Sequence, residues 1–253
     1  MTNFHLVQSD LVWEKIDANL ERLEQQIIGI RSGNIILPEM FSTGFSMASG
    51  KLAESMTGKA VTWLTRHAIQ KQVYICGSII IEENGRYFNR FVWVSPDGLM
   101  TTYDKRHLFR MADEHQHYAA GANLVQLSIN SMQIRPQICY DLRFPAWSRN
   151  TTGYDALVYV ANWPAVRGQH WMILLRARAI ENLSYVIGVN RVGIDGNGIA
   201  YAGDSCVIDP LGNYLLKMDA DESNGTVDLN LASLQKYREY FPAHLDADTL
   251  DIK

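Results

Sequence analysis

Two spacings of apolar residues alternate along the chain. "FHLVQSDL" reads as a strand, and "WEKIDANLERLEQQIIGI" places Trp13, Ile16, Leu20, Leu23 and Ile27 at helical intervals. Gly33 and Asn34 punctuate the end of that helix. "NIILPE" is a short apolar run of the kind found in strands covered on both faces. "AVTWLTRHAIQKQ" predicts a second amphipathic helix. "VYICGSIIIEE", "RYFNRFVWVSP" and "LMTTYDK" predict strands joined by turns at Asn84-Gly85 and Asp97-Gly98. Hairpins of this kind exclude a purely parallel sheet.

The second half has a similar order. "VQLSINSMQIRPQIC" predicts strands around a turn near Asn130-Ser131, and "ALVYVAN" a short buried strand. "HWMILLRARAIEN" predicts a helix and "YVIGVNRV" a strand. A hairpin-rich tail runs from "GDSCVIDPLGNYLLKM" to "GTVDLNL". Two such halves suggest an α/β fold in which two mixed sheets pack face to face with helices outside, an α-β-β-α sandwich. No low-complexity linker divides the chain, so a single domain over residues 1–253 is expected.

Composition narrows the function classes. Apolar residues make up 47% and charged residues 20% of the 253, a globular balance. A formal net charge of -4 provides no basic footprint for nucleic acid or an anionic membrane. No apolar run approaches the roughly 20 residues of a membrane span. "MTNFHLVQSD" lacks the pattern of a signal peptide. Three widely spaced cysteines suggest reduced thiols rather than a disulfide framework, and hence a cytoplasmic protein.

Candidate chemistry lies where polar residues follow apolar strands. Glu39 follows "NIILP", Lys105 follows "LMTTYD" and Cys139 follows "MQIRPQI". In α/β sheets the carboxyl ends of strands are where ligands bind. Each residue also has an ordinary reading: a loop carboxylate, a solvated lysine, a core thiol. A thiol at a strand end is placed to act as a nucleophile, with the Tyr140 N–H pointing at the same place, as in a nucleophile elbow. Cys76 and Cys206 lie inside apolar strands and are assigned to the core. A thiol needs a base, and any of the seven histidines could serve on composition alone. "MADEHQHY" raises a metal-site reading, with His115 and His117 on one face of an extended segment; the alternatives are a polar rim, or Glu114 as a second buried carboxylate beside Lys105.

Together, "LPEMF", "YDKRHLF" and "CYDLRFP" resemble the three signature segments of the nitrilase (carbon–nitrogen hydrolase) superfamily, in order and at separations of 66 and 34 residues. The likeness continues through "YVANWP", "RARAIEN" and "GDSCVIDPLG" and covers nearly the whole chain. "YDKRHLFRMADEHQHY" and "CYDLRFPAWSRN" look closest to its bacterial ω-amidases, which act on 2-oxoglutaramate and related ω-monoamides of dicarboxylic acids.

The resemblance implies an α-β-β-α sandwich, commonly dimerised, and a catalytic set of Glu39, Lys105 and Cys139, with Glu114 as a further family glutamate. It implies no histidine, metal or organic cofactor, and a small-molecule amide as substrate. Arg106 and Arg143 are candidates for binding the substrate's distal acid. A structural ion pair is the commoner role for an arginine placed like Arg143. Phe41, Phe45 and Trp163 lie just past strand ends and are candidate pocket walls, packing being the default for aromatics.

Overall fold

A computed structural model describes residues 1–248. Strands β1 (Thr2–Gln8), β2 (Asn34–Ile36), β3 (Tyr74–Glu83), β4 (Arg86–Val94) and β5 (Met100–Asp104) build most of the first sheet. The second half begins with β6 (Leu127–Ile129), β7 (Met132–Ile138), β8 (Ala156–Ala161) and β9 (Tyr185–Asn190). A two-stranded ribbon of β10 (Val192–Ile194) and β11 (Ala200–Ala202) follows. Then come β12 (Cys206–Ile208) and β13 (Tyr214–Lys217), and β14 (Ser223–Leu229) returns to the first sheet. The orders are β14-β1-β2-β3-β4-β5 and β13-β12-β9-β8-β7-β6. Each sheet has a parallel centre, β1-β2-β3 or β7-β8-β9, and antiparallel edges.

Period-two alternation explains the layers. Phe4, Leu6, Ile36, Cys76, Phe91 and Trp93 face Ile134, Ile138, Val158, Val160, Ile187 and Val189 across the space between the sheets. Their neighbours Val7, Ile35, Ile75, Val92 and Val94 point the other way, onto helices α1 (Ile16–Ile27) and α3 (Lys59–Lys71). Leu157, Tyr159 and Ala161 point out of the second sheet onto α6 (Gly168–Asn182), through Trp171, Leu175 and Ala179. The central strands are apolar on both faces because both are covered. The result is the expected α-β-β-α sandwich of two mixed sheets. Cys76 and Cys206 are fully buried in it.

Short helices complete the chain: α2 (Ser49–Leu52), α4 (Glu114–His117) and α5 (Pro145–Ser148). Beyond the tail strands, α7 (Leu231–Tyr240) follows β14, capped by Asn230, whose side chain accepts the Ser233 N–H at 3.2 Å. One expectation is corrected. The "EHQH" segment is the helical turn α4, not extended chain, so His115 and His117 do not share a face. Among the described residues no helix is long and apolar enough to cross a membrane.

Candidate active site

The site lies at the carboxyl ends of parallel-running strands from both sheets. Beyond β2 the chain turns sharply: Met40 adopts φ 45°, and Ser78 Oγ on β3 accepts its N–H at 2.8 Å. That turn sends Glu39 toward the second sheet. Lys105 directly follows β5, and its N–H donates to Asn89 O at 3.0 Å. Gly121 lies so close to β5 that a Cβ there would meet the Asp104 carbonyl at 2.1 Å; its N–H donates to Lys105 O at 2.9 Å. This contact ties the loop carrying Glu114 to the strand carrying Lys105. Cys139 follows β7, and Asn162 follows β8.

The polar side chains converge in a buried cluster. Lys105 Nζ donates to Glu39 Oε1 at 2.9 Å and lies 2.9 Å from each Glu114 oxygen. All three side chains are closed to solvent. Asn89 Nδ2 donates to Glu39 Oε1 at 2.8 Å and to Glu114 Oε1 at 3.3 Å. The Phe109 N–H donates to Glu114 Oε2 at 2.6 Å. Asn162 fixes Glu39 from the other sheet: its backbone N–H donates to Oε2 at 2.7 Å and its Nδ2 to the Glu39 carbonyl at 2.6 Å. Cys139 Sγ lies 3.9 Å from Asn162 O.

Charge sets the protonation of this cluster. Burial alone would push the Lys105 ammonium down, but Glu114 and Glu39 outweigh it and hold the amine protonated, well above the usual lysine range. Burial raises the Glu114 carboxyl, Lys105 pulls it back, and the charge of Glu39 pushes it up again. Burial, and then the Glu39 charge, raise the Cys139 thiol well above its usual value, with Lys105 opposing. The resting sulfur is a neutral thiol, and its proton must leave as it attacks.

Backbone strain aims that sulfur. Cys139 adopts φ 43°, a left-handed conformation that costs about 1–3 kcal/mol in a residue with a side chain. Asp141 clamps the turn. Its Oδ2 accepts the Ile138 N–H at 3.1 Å and the Tyr103 hydroxyl at 2.7 Å. Its Oδ1 accepts the His107 N–H at 2.9 Å, with His107 Nδ1 at 2.8 Å. The His107 ring stacks on Phe144 at 3.7 Å, and Trp147 Nε1 donates to the Tyr103 oxygen at 2.9 Å. The turn after β7 and the loop after β5 are thus held as one body.

Above the cluster opens a cavity of about 520 Å³, within the usual range for small-molecule pockets. Cys139, Lys105 and Asn162 line its inner end. Phe45, Trp163 and Tyr140 wall it, and Met111, Val166 and Arg167 reach its outer part.

Residues 6–239 match the family described as carbon-nitrogen hydrolase. The chain belongs to this family. It is 49% identical to "Omega-amidase YafV" of Escherichia coli (strain K12), over 96% of this chain and 95% of that one. It is 32% identical to the "2-oxoglutaramate amidase" of Bacillus subtilis (strain 168), over 95% of each. A solved carbon-nitrogen hydrolase superfamily protein, XC1258 of Xanthomonas campestris, superposes with a TM-score of 0.96 at 40% identity, covering 100% of this chain and 99% of that one. That structure carries an arsenic adduct in its active site.

In this carbon-nitrogen hydrolase the structure brings Glu39, Lys105, Glu114 and Cys139 together, with Tyr140, Phe45 and Trp163 around them. It separates two of the predicted pocket residues from the cavity. Phe41 is fully buried on the helix-facing side of the first sheet, against Trp63 and over Gly77, where a Cβ would meet its ring at 2.7 Å. Arg106 turns away from the cavity, donating to Gly121 O at 3.1 Å and lying over Trp147. Among the described residues Arg143 does not form the expected structural ion pair: it lines the cavity, stacked on Trp163 at 4.9 Å, with one nitrogen 3.1 Å from His170 Nδ1. Among the described residues no three His, Cys, Asp or Glu side chains are grouped to hold a metal ion.

Sequence reasoning missed Asn89 and Asn162. Asn162 carries the same signal as the other site residues, a polar residue just past the apolar run "ALVYVA". Asn89 is a lone amide inside the apolar strand "RYFNRFVWV". A buried amide there needs partners, but the pattern does not say which.

Proposed function

We propose that the protein is an ω-amidase. It hydrolyses the terminal amide of small dicarboxylic acid monoamides, such as 2-oxoglutaramate, 2-oxosuccinamate and succinamate, to the acid and ammonia. The observation that carries this reading is the 49% identity to the E. coli ω-amidase along nearly the whole chain. Lys105 and Cys139 at the floor of one cavity, with Glu39 buried against Lys105, support it.

The residues act in a defined order. Glu39 takes the Cys139 proton as general base while the sulfur attacks the amide carbon. Negative charge develops on the carbonyl oxygen. Lys105 and the Tyr140 N–H stabilise it, the latter because the first amides of a helical turn have no acceptor within it. Glu39 returns its proton to the nitrogen, the C–N bond breaks and ammonia leaves. A thioester remains on Cys139. Glu39 then takes a proton from water, the hydroxyl adds to the thioester, and the acid leaves as the thiol reforms. Glu114 holds Lys105 in place beside Glu39. Sulfur and carboxylate supply the chemistry, so the mechanism calls for no metal or organic cofactor.

Ammonia release from a panel of ω-monoamides, with Cys139→Ala as control, tests the reading. Release from nitriles or N-carbamoyl amines but not from succinamate or 2-oxoglutaramate would point to another substrate class within the family. Failure to trap any acyl adduct on Cys139 would support a binding protein on the same scaffold.

We read residues 1–253 as one catalytic domain working in the cytoplasm as a homodimer. The outer face of α6 supports a dimer: Ile173 and Ile180 are exposed on it, and Arg176 between them lies over the exposed Tyr214 ring. A monomeric sedimentation coefficient at micromolar concentration would rule this out.

A further inference from the structure

The cavity holds a cation that the hydrolysis of an amide bond does not use. Arg167 ends the short helical turn after Trp163, and its carbonyl accepts Trp163 Nε1–H at 2.8 Å, which fixes the backbone there. Its guanidinium lies over the Phe109 ring at 5.4 Å and lines the same cavity as Cys139. Among the described residues it enters no hydrogen bond or ion pair through its side chain. Most other arginines of the chain are engaged: Arg90 with Glu83 and Asp104, Arg178 with Glu181, Arg191 with Asp10, Arg238 with Asp155. Arg143, the other arginine of the cavity, already has a nitrogen beside His170.

The placement along the cavity is ordered. Lys105 and Asn162 are buried at its inner end, whereas Val166 and Met111 are exposed at its outer part, beside the half-buried Arg167. A substrate with its amide carbon at Cys139 must extend from the buried end toward Arg167. Phe109 and Trp163 restrict the arginine without using its N–H donors, so the fork stays available for a carboxylate.

We infer that Arg167 receives the distal carboxylate of the substrate and sets the preference for acid amides over neutral ones. This rests on the ω-amidase reading and identifies the residue that would select its substrates. Arg143 adds positive charge to the same wall. Asp195, the carboxylate lining the cavity, does not compete for the guanidinium: it accepts the backbone N–H groups of Asn197 and Ile199 and the Tyr201 hydroxyl.

The test compares kcat/KM for succinamate and for butyramide, a neutral amide of the same chain length, in the parent, Arg167→Gln and Arg167→Lys. Arg167→Gln should lower the acid-to-neutral ratio roughly tenfold to a hundredfold, chiefly through KM for succinamate, the size of one or two charge-assisted hydrogen bonds. Arg167→Lys should recover part of it. Inhibition by succinate should weaken in parallel, a binding readout that does not depend on turnover. A parent that prefers succinamate while Arg167→Gln keeps both the preference and the succinate inhibition overturns the assignment to Arg167 and leaves the ω-amidase reading standing. A parent that cleaves butyramide as well as succinamate overturns both.

Discussion

Lys105 and Glu114 meet without solvent: the ammonium lies 2.9 Å from each carboxylate oxygen, and neither side chain is exposed. Removing Glu114 leaves the buried ammonium with Glu39 as its charged partner and strips the Phe109 N–H of its acceptor. Glu114→Ala should therefore destabilise the protein by about 1–3 kcal/mol in urea unfolding. Glu114→Gln keeps the shape and should cost less stability, yet still lower kcat on the order of a hundredfold by releasing Lys105 from its position. A Glu114→Gln enzyme with parental kcat would mean that Glu114 serves folding alone.

The Cys139 thiol should be protonated at rest. Burial raises it first and the Glu39 charge adds to that, so the sign of both is toward the neutral form. Thiolate absorbance in the ultraviolet, taken as the difference between the parent and Cys139→Ala, should stay flat through about pH 9, past the ordinary thiol value of about 8.5. A step near neutral pH would reveal a preformed thiolate stabilised by Lys105 and contradict the order of proton transfers given above.

Asp141 should matter to catalysis without reaching the substrate. Asp141→Asn leaves the side chain's size unchanged but replaces one acceptor oxygen with a donor, facing either Tyr103 and Ile138 or His107. A loss of roughly 2–3 kcal/mol in stability is expected from the buried bonds. With the turn at Cys139 loosened, kcat should fall more than KM rises. Steady-state kinetics beside a denaturant titration separates the two; an unchanged kcat would mean that Cys139 keeps its aim without the clamp.

Phe41 and Phe45 are four residues apart and belong to different parts of the molecule. Phe41→Ala should cost about 3–5 kcal/mol through a cavity against Trp63, with KM little changed. Phe45 lies 5.1 Å from Lys105 Nζ and lines the pocket, so Phe45→Ala should change the kinetics and cost less stability. Thermal melting and substrate saturation curves on both variants test the contrast. A KM effect from Phe41→Ala as large as that from Phe45→Ala would place both in the pocket wall.

The layers and most strands were legible because coverage on two faces leaves an unambiguous mark, a continuous apolar run. Glu39, Lys105 and Cys139 were legible as polar residues just past such runs. Asn162 obeys the same rule, but an asparagine before Trp-Pro reads equally as a turn. Asn89 acquires its partners only when β4 is seated between β3 and β5, a long-range fact. The helical turn of "EHQH" is not legible because His115 and His117 at alternate positions imitate a strand, and a four-residue helix has no period to display. Phe41 and Phe45 carry no local mark that separates core from pocket. Arg167 sits in a loop, and nothing in "PAVRG" tells that its guanidinium will lie over Phe109.

The sandwich also has a mechanical consequence. Glu39 and Lys105 hang from one sheet and Cys139 from the other, so the gap between acid–base pair and sulfur is set by the thickness of the apolar filling beneath them. Phe91, Trp93, Ile138 and Val160 act as spacers for the reaction although none of them touches it. Thinning or padding that layer would retune the active site from below, as changing a shim shifts the two jaws of a vice.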